Sequence, residues 1–286
     1  MRVACIGEAM IELTQQGGAA HLGVAGDTLN TAIYLKRSAP ELEVEYITCL
    51  GDDPFSGQIC DFIGAQGIGC DGIRTIAGGT PGLYAITTEA GERSFTYWRN
   101  QSAARQMFQD EAGFEVLKDY DLLYLSGITM AILPPSVRAG FLDWLGQGDA
   151  RLAYDSNYRP RLWDSADAAR AVTDALWSRC DIALPSVDDE MALFEQDAAA
   201  VTARLRAYGC RGALKRGAEG PLSLGSDVVQ SYAPAPRIVD TTAAGDSFNG
   251  GYLAALLTGG DQAAALRAGH DCAARVVQFP GAIIPV

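Results

Sequence analysis

Lysine and histidine are scarce in this chain, and each shortage excludes some chemistry. Only three lysines, Lys36, Lys118 and Lys215, occur in 286 residues, and 22 basic side chains face 35 acidic ones for a formal net charge of −13. An acidic chain with no basic run is a poor partner for nucleic acid or an anionic membrane surface, which bind through general attraction. Any anion must be held by local arginines or by backbone N–H groups. The two histidines, His21 and His270, disfavour a zinc site or a triad with a histidine base. The seven cysteines are odd in number, scattered and never spaced as CxxC, the usage of reduced, mostly buried thiols in a cytoplasmic protein. The opening MRVACIGEAMIEL lacks the zones of a signal peptide, and no apolar run reaches the roughly 18 residues of a membrane span. A dinucleotide fold needs GxGxxG after its first strand, where Gly7-Glu8-Ala9-Met10 stands, and GxxxxGK[ST] is absent, so neither that fold nor a P-loop is expected.

What is present reads as α/β. The length suits one large domain or two small ones with an ample core. Apolar runs at 3–6, 45–50, 122–125, 151–154, 182–184 and 212–215 read as short parallel strands, and alanine-rich stretches at 165–178 and 197–208 as helices between them. Such alternation predicts a layered domain with a mainly parallel sheet. One segment breaks the rhythm: β-rich flanks at 82–88 and 93–99 around an Ala90-Gly91 turn make a hairpin. With the strand-like 11–14 and the His21-Leu22 neighbourhood it forms a small second sheet, either a lid or a surface decoration. Without repeats or linkers, one domain over 1–286 is expected, with a lid from about 11–25 and 80–100.

The most informative stretch is Asp240-Thr241-Thr242-Ala243-Ala244-Gly245-Asp246-Ser247-Phe248, leading into an apolar-periodic run. It predicts a helix N-terminus with capping side chains. Small side chains at Ala243, Ala244 and Gly245 let backbone N–H groups face a ligand, and the helix dipole adds positive potential, a ready site for a transferring phosphoryl group. Asp246 is placed as a general base for an attacking hydroxyl; an acidic residue in a first turn also serves simply as a dipole partner. In Ala25-Gly26-Asp27-Thr28-Leu29-Asn30, Gly26 permits close approach to a sugar and Asp27 and Asn30 offer polar groups to its hydroxyls, or the segment is only a loop and cap. Lys215-Arg216-Gly217-Ala218-Glu219-Gly220 makes a tight loop suited to a flat or anionic ligand. Tyr97 and Arg99 share a strand face. Asn157 and Arg159, after the strand at 151–154, reach the C-terminal sheet edge where open α/β sheets bind ligands. Two arginines and a tyrosine suit a carboxylate, though each arginine alone also reads as a surface or capping cation.

Residues 240–253 resemble the second signature of the ribokinase-like (phosphofructokinase B) carbohydrate kinase family, and 25–32 its first, with Ala25 replacing one glycine of the usual pair. Similarity runs from the Ile6-Gly7-Glu8 turn to Pro285. The resemblance implies a three-layer α/β/α ribokinase-like fold with a small β-sheet lid, and ATP as phosphoryl donor with Mg²⁺. It implies Asp246 as the base and the amides of Ala243, Ala244 and Gly245 as an anion hole. Gly26, Asp27 and Asn30 become sugar contacts, Tyr84, Tyr97 and Arg99 lid contacts, and Arg159 a body-side carboxylate contact. Asn157, Ser186, Lys215, Gly217 and Gly220 fall to ATP, together with Ala244 and Gly245. The runs Tyr97-Trp98-Arg99 and 157–163 and the ending Gly281-Ala282-Ile283-Ile284-Pro285 are most similar to members acting on a 2-keto-3-deoxy sugar acid. A neutral sugar such as fructose or ribose is the rival acceptor, and a non-catalytic sugar sensor the remote one. The family's Asn-x-x-Glu motif stands here as Ser186-Val187-Asp188-Asp189, so metal ligands are left unassigned. A monovalent cation near 240–245 and a homo-oligomer built through packed lids are implied by resemblance only.

Overall fold

A computed structural model describes the chain except Gly17, Gly18, Ala90, Gly91, Glu111, Ala112 and Val286. Its strands are β1 (Arg2–Ile6), β2 (Met10–Gln16), β3 (Ala19–Ala25), β4 (Glu43–Gly51), β5 (Ile73–Ile76), β6 (Gly82–Glu89), β7 (Glu92–Trp98), β8 (Leu122–Ser126), β9 (Leu152–Asp155), β10 (Ile182–Ala183), β11 (Gly212–Leu214) and β12 (Leu222–Leu224). The α-helices are α1 (Asp27–Ser38), α2 (Pro54–Ala65), α3 (Gly127–Ile132), α4 (Pro135–Gln147), α5 (Ala166–Arg179), α6 (Val187–Phe194), α7 (Ala198–Ala207), α8 (Ala244–Leu257) and α9 (Gln262–Val276).

Eight strands build the main sheet in the order β12-β11-β10-β9-β8-β1-β4-β5. All its neighbours pair in parallel except β11 and β12. Central strands read as continuous apolar runs because both faces are covered: β1 pairs with β4 at Ile6↔Ile47 and with β8 at Ile6↔Leu125, and both strands are buried there. The sheet divides the core in two. One layer gathers Ile6, Leu123, Tyr154 and Trp177; the other holds Val3, Leu29, Tyr46 and Leu253. Helix starts follow local chemistry, with Ser165 accepting from the Ala168 amide before α5 and Asp197 from that of Ala200 before α7.

The second sheet has the order β3-β2-β6-β7, with β2 antiparallel to β3, parallel to β6, and β6 antiparallel to β7. The expected hairpin is thus present, while its Ala90-Gly91 turn lies outside the described residues. The antiparallel edge strand β12 is not among the expected strands; at three residues it is too short to carry a pattern. All seven cysteines are free, but only Cys5, Cys49 and Cys210 are buried, so "mostly buried" overstates their placement. Among the described residues no helix is long and apolar enough to cross a membrane.

Candidate active site

The ends of β9 and β11 and the N-termini of α1, α6 and α8 open into one cleft of about 1380 Å³, with Met10 and Tyr84 of the small sheet in its wall. Twisted parallel strands place this crevice at their carboxyl ends. Residues 241–246 form its floor. Helix α8 begins after Ala243, whose φ of 59° is left-handed, and among the described residues no side chain caps it. The Thr242 hydroxyl and amide donate to Asp240 Oδ1 at 2.7 and 3.0 Å, while Asp240 Oδ2 accepts from the Gly281 amide at 2.7 Å. The Ala244 amide donates to the Thr241 carbonyl at 3.2 Å, and the start of α8 lines the cleft, where a helix N-terminus attracts an anion.

Asp246 lies in that first turn, and Asn30 Nδ2 donates to its Oδ2 at 2.8 Å. Burial pushes the Asp246 carboxyl up to about 8; the Asp27 and Asp155 carboxylates add to the rise, and the Asn30 hydrogen bond and Lys215 oppose it. Asp27 accepts from the Ser126 hydroxyl and, at 2.7 Å, from Asn157 Nδ2. Gly26 is required sterically, because a Cβ there would stand 2.2 Å from the Glu8 carbonyl oxygen. Close backbone packing thus delivers α1 to the cleft.

On the lid side, Tyr84 donates to Glu12, and its ring lies 5.6 Å from that of Tyr97. The Tyr84 hydroxyl is pushed above its ordinary range by burial and by Glu12. Arg99, just past β7, lines the cleft with its guanidinium 6.0 Å from the Tyr97 ring centre, and it forms a buried ion pair with Glu8. Among the described residues, Arg99 Nε and Glu8 Oε1 are buried without a partner. Two donor and acceptor positions thus remain in a pair that is otherwise enclosed.

Placement of the other expected residues is mixed. Asn157, expected on the phosphate side, hydrogen-bonds to Asp27 and so joins the group around α1. Arg159 lies half exposed, 3.1 Å from Asp189. Burial pushes the Asp189 carboxyl up, with Arg159 opposing. Ser186 precedes α6 and bridges to Lys215, and both line the cleft, as do Gly217 and Ala218. Gly220 is absent from the cleft wall; its φ of 77° and its contact with Tyr232 make it a turn residue. Lys215 points back to the floor, where Nζ lies 2.5 Å from Asp155 Oδ2 and 3.1 Å from Asn249 Oδ1.

Sequence reasoning missed Glu8, Asp155 and Asn249, whose side-chain partners lie far away in the chain. It also missed the apolar lining residues Pro234, Ala235, Ile238, Ala274 and Val277, side chains that suit a flat base. No group of three or more His, Cys, Asp or Glu side chains able to hold a metal occurs among the described residues. Asp188 and Asp189 do line the cleft. One or two carboxylates plus substrate phosphates is the donor set that suits Mg²⁺, so the residues fit a magnesium ion that arrives with a nucleotide.

A helix N-terminus beside a half-buried carboxylate, in a cleft walled by a small second sheet, is the equipment of an α/β phosphotransferase. The model of the pfkB family carbohydrate kinases matches residues 1–286, and the chain belongs to that family. The 2-dehydro-3-deoxygluconokinases of Escherichia coli K12 and Dickeya dadantii are each 41% identical to it, over 99% of this chain and 97% of theirs. The crystal structure of a PfkB protein from Polaromonas sp. JS666 superposes with a TM-score of 0.84 at 27% identity, covering 97% of this chain and 95% of that one. The ribokinase-like fold is thereby established, and the chain is a sugar kinase with ATP as co-substrate.

Proposed function

We propose that this kinase phosphorylates 2-keto-3-deoxygluconate at its C6 hydroxyl, giving 2-keto-3-deoxy-6-phosphogluconate and ADP. The observation that carries the reading is the 41% identity, over nearly the whole chain, to 2-dehydro-3-deoxygluconokinases. The cleft supports it: Arg99 and Arg159 both line it, and guanidinium groups can bind a carboxylate in pairs. Arg99 is held by Glu8, and Arg159 exchanges Asp189 for the sugar acid.

In this reading Gly26, Asp27 and Asn30 hold the sugar chain, with Tyr84 and Tyr97 against its lid side. Asp246 accepts the C6 hydroxyl proton as that oxygen attacks the γ-phosphorus in line. The bond from the γ-phosphorus to the β,γ-bridging oxygen breaks, leaving ADP. The amides of Ala243, Ala244 and Gly245 take up the charge that develops on the phosphoryl oxygens. Ser186, Gly217 and the apolar lining residues hold the nucleotide. Mg²⁺ bound with ATP supplies charge neutralisation at the phosphates, and Asp188 and Asp189 are the carboxylates that would hold it, directly or through water. The small sheet excludes water during transfer and so suppresses ATP hydrolysis.

Three accessory readings accompany this one. Leu22, Phe95 and Trp98 are exposed on the small sheet, which supports a homo-oligomer with lids in contact; light scattering tests it. Seven free thiols support a cytoplasmic setting. Dependence of the rate on potassium tests a monovalent cation beside 240–245.

Product analysis tests the main reading: phosphorus–proton correlation should place the new phosphate on C6 of 2-keto-3-deoxygluconate. Failure to phosphorylate that sugar, with turnover of a neutral one, overturns it.

A further inference from the structure

Beneath the floor of the cleft lies a buried polar group that the proposed reaction does not use. Asp155, at the end of β9, is 3% exposed. Its Oδ1 accepts from the Asn157 amide at 3.1 Å, and its Oδ2 from Lys215 Nζ at 2.5 Å and Asn249 Nδ2 at 2.7 Å. Asn249, fully buried in α8, closes the ring by accepting from Lys215 Nζ at 3.1 Å. Its amide also donates to the Tyr124 hydroxyl at 3.0 Å, and that oxygen accepts from Thr31 Oγ1 at 3.1 Å. Residues of β8, β9, α1 and α8 thus join in one network around the ammonium that follows β11.

An ammonium has three donors. Two are spent on Asp155 and Asn249, which fixes the direction of the third. The ammonium lines the cleft, and a Cβ built on Gly245, in the first turn of α8, would lie 3.6 Å from Nζ. Left alone, a flexible four-carbon stem would not hold a point charge at one place. Burying an ion pair is no route to stability either, since an apolar pair of equal volume does as well or better.

We infer that Asp155 is a positioning residue: with Asn249 it holds Lys215 Nζ against the first turn of α8, where the ammonium meets the phosphoryl group in transfer. This rests on the kinase reading above and extends it. The rival role is plain charge neutralisation, in which Lys215 merely compensates Asp155 and touches no phosphate.

Binding of ADP alone and of ADP with aluminium fluoride, which mimics the transferring phosphoryl group, separates the two in the intact protein with Mg²⁺ and the sugar acid present. For Asp155→Asn, affinity for ADP with aluminium fluoride should fall about 10²-fold, the loss expected for one misplaced charge-stabilising donor. Affinity for ADP alone should change by less than about twofold. In a Lys215→Met background the same substitution should add nothing, because residues acting as one unit are not additive. Asn249→Ala should give a smaller loss that also vanishes in that background, and it takes the place of Asp155→Asn should that variant fail to fold. Equal weakening of both ligands, or additive losses in the double variant, overturns the inference. Binding of the mimic by the unsubstituted protein with a neutral sugar in place of the acid overturns the substrate reading and leaves the inference standing.

Discussion

Asn30 Nδ2 donates to Asp246 Oδ2 at 2.8 Å across 216 positions of sequence, tying the first turns of α1 and α8 together. The two signature segments therefore meet at one carboxylate. Asn30 stabilises its charged form, whereas burial and Asp27 oppose ionisation.

Asp246→Asn should lower kcat by roughly 10²- to 10⁴-fold, the contribution of a positioned general base, with ATP affinity little changed. Steady-state rates with a nucleotide titration check it. A near-normal kcat would mean that another group takes the proton.

The pH dependence follows from the raised carboxyl. Asp246 must be ionised to act, so kcat/KM should rise about tenfold per pH unit toward a limb near 8 and level off above it. Stability runs the opposite way. A carboxyl whose folded value lies above its unfolded one contributes fully below about 4, and that contribution is lost as pH rises through about 8. Asp246→Asn should accordingly melt at the same temperature as the parent near pH 4 and a few degrees higher at pH 8. Melting curves at the two values decide.

Arg99→Ala should raise KM for an acidic sugar about 10- to 100-fold, since a hydrogen bond to a charged group is worth roughly 1.5–3 kcal/mol. It should also destabilise the fold by about 3–5 kcal/mol, because Glu8, 1% exposed, is left unpaired. Adding Glu8→Gln should recover most of the stability and none of the KM. Recovery of both would reduce the pair to a structural element.

Arg159→Ala should act on KM with almost no change in melting temperature. Its side chain is 51% exposed, and an ion pair with one exposed partner is worth about 0–1 kcal/mol.

Much of this architecture is written locally in the chain. The two-residue period at 82–88 and 93–99 sets the β6–β7 pairing, and the small residues at 243–245 mark the start of α8 because nothing else lets backbone amides face a ligand. Ser165 and Asp197 accept from the first-turn amides of α5 and α7, which is a local contact as well. What stayed hidden is the set of partners that only the fold brings together. Glu8 lies 91 positions from Arg99 and Asp155 60 from Lys215, so neither spacing carries a periodic signal. Asn157 lies at the cleft edge that its position after β9 predicts, while its contact with Asp27, 130 positions away, carries no signal in the spacing.

The central claim is that this cleft selects a sugar acid. The most direct measurement is kcat/KM for 2-keto-3-deoxygluconate, its galactonate epimer, gluconate and fructose in parallel with ATP. With both arginines on the carboxylate, ketodeoxygluconate should exceed fructose by about 10²- to 10⁴-fold, from two charge-assisted contacts of roughly 1.5–3 kcal/mol each. Equal values, or a preference for fructose, would contradict the account.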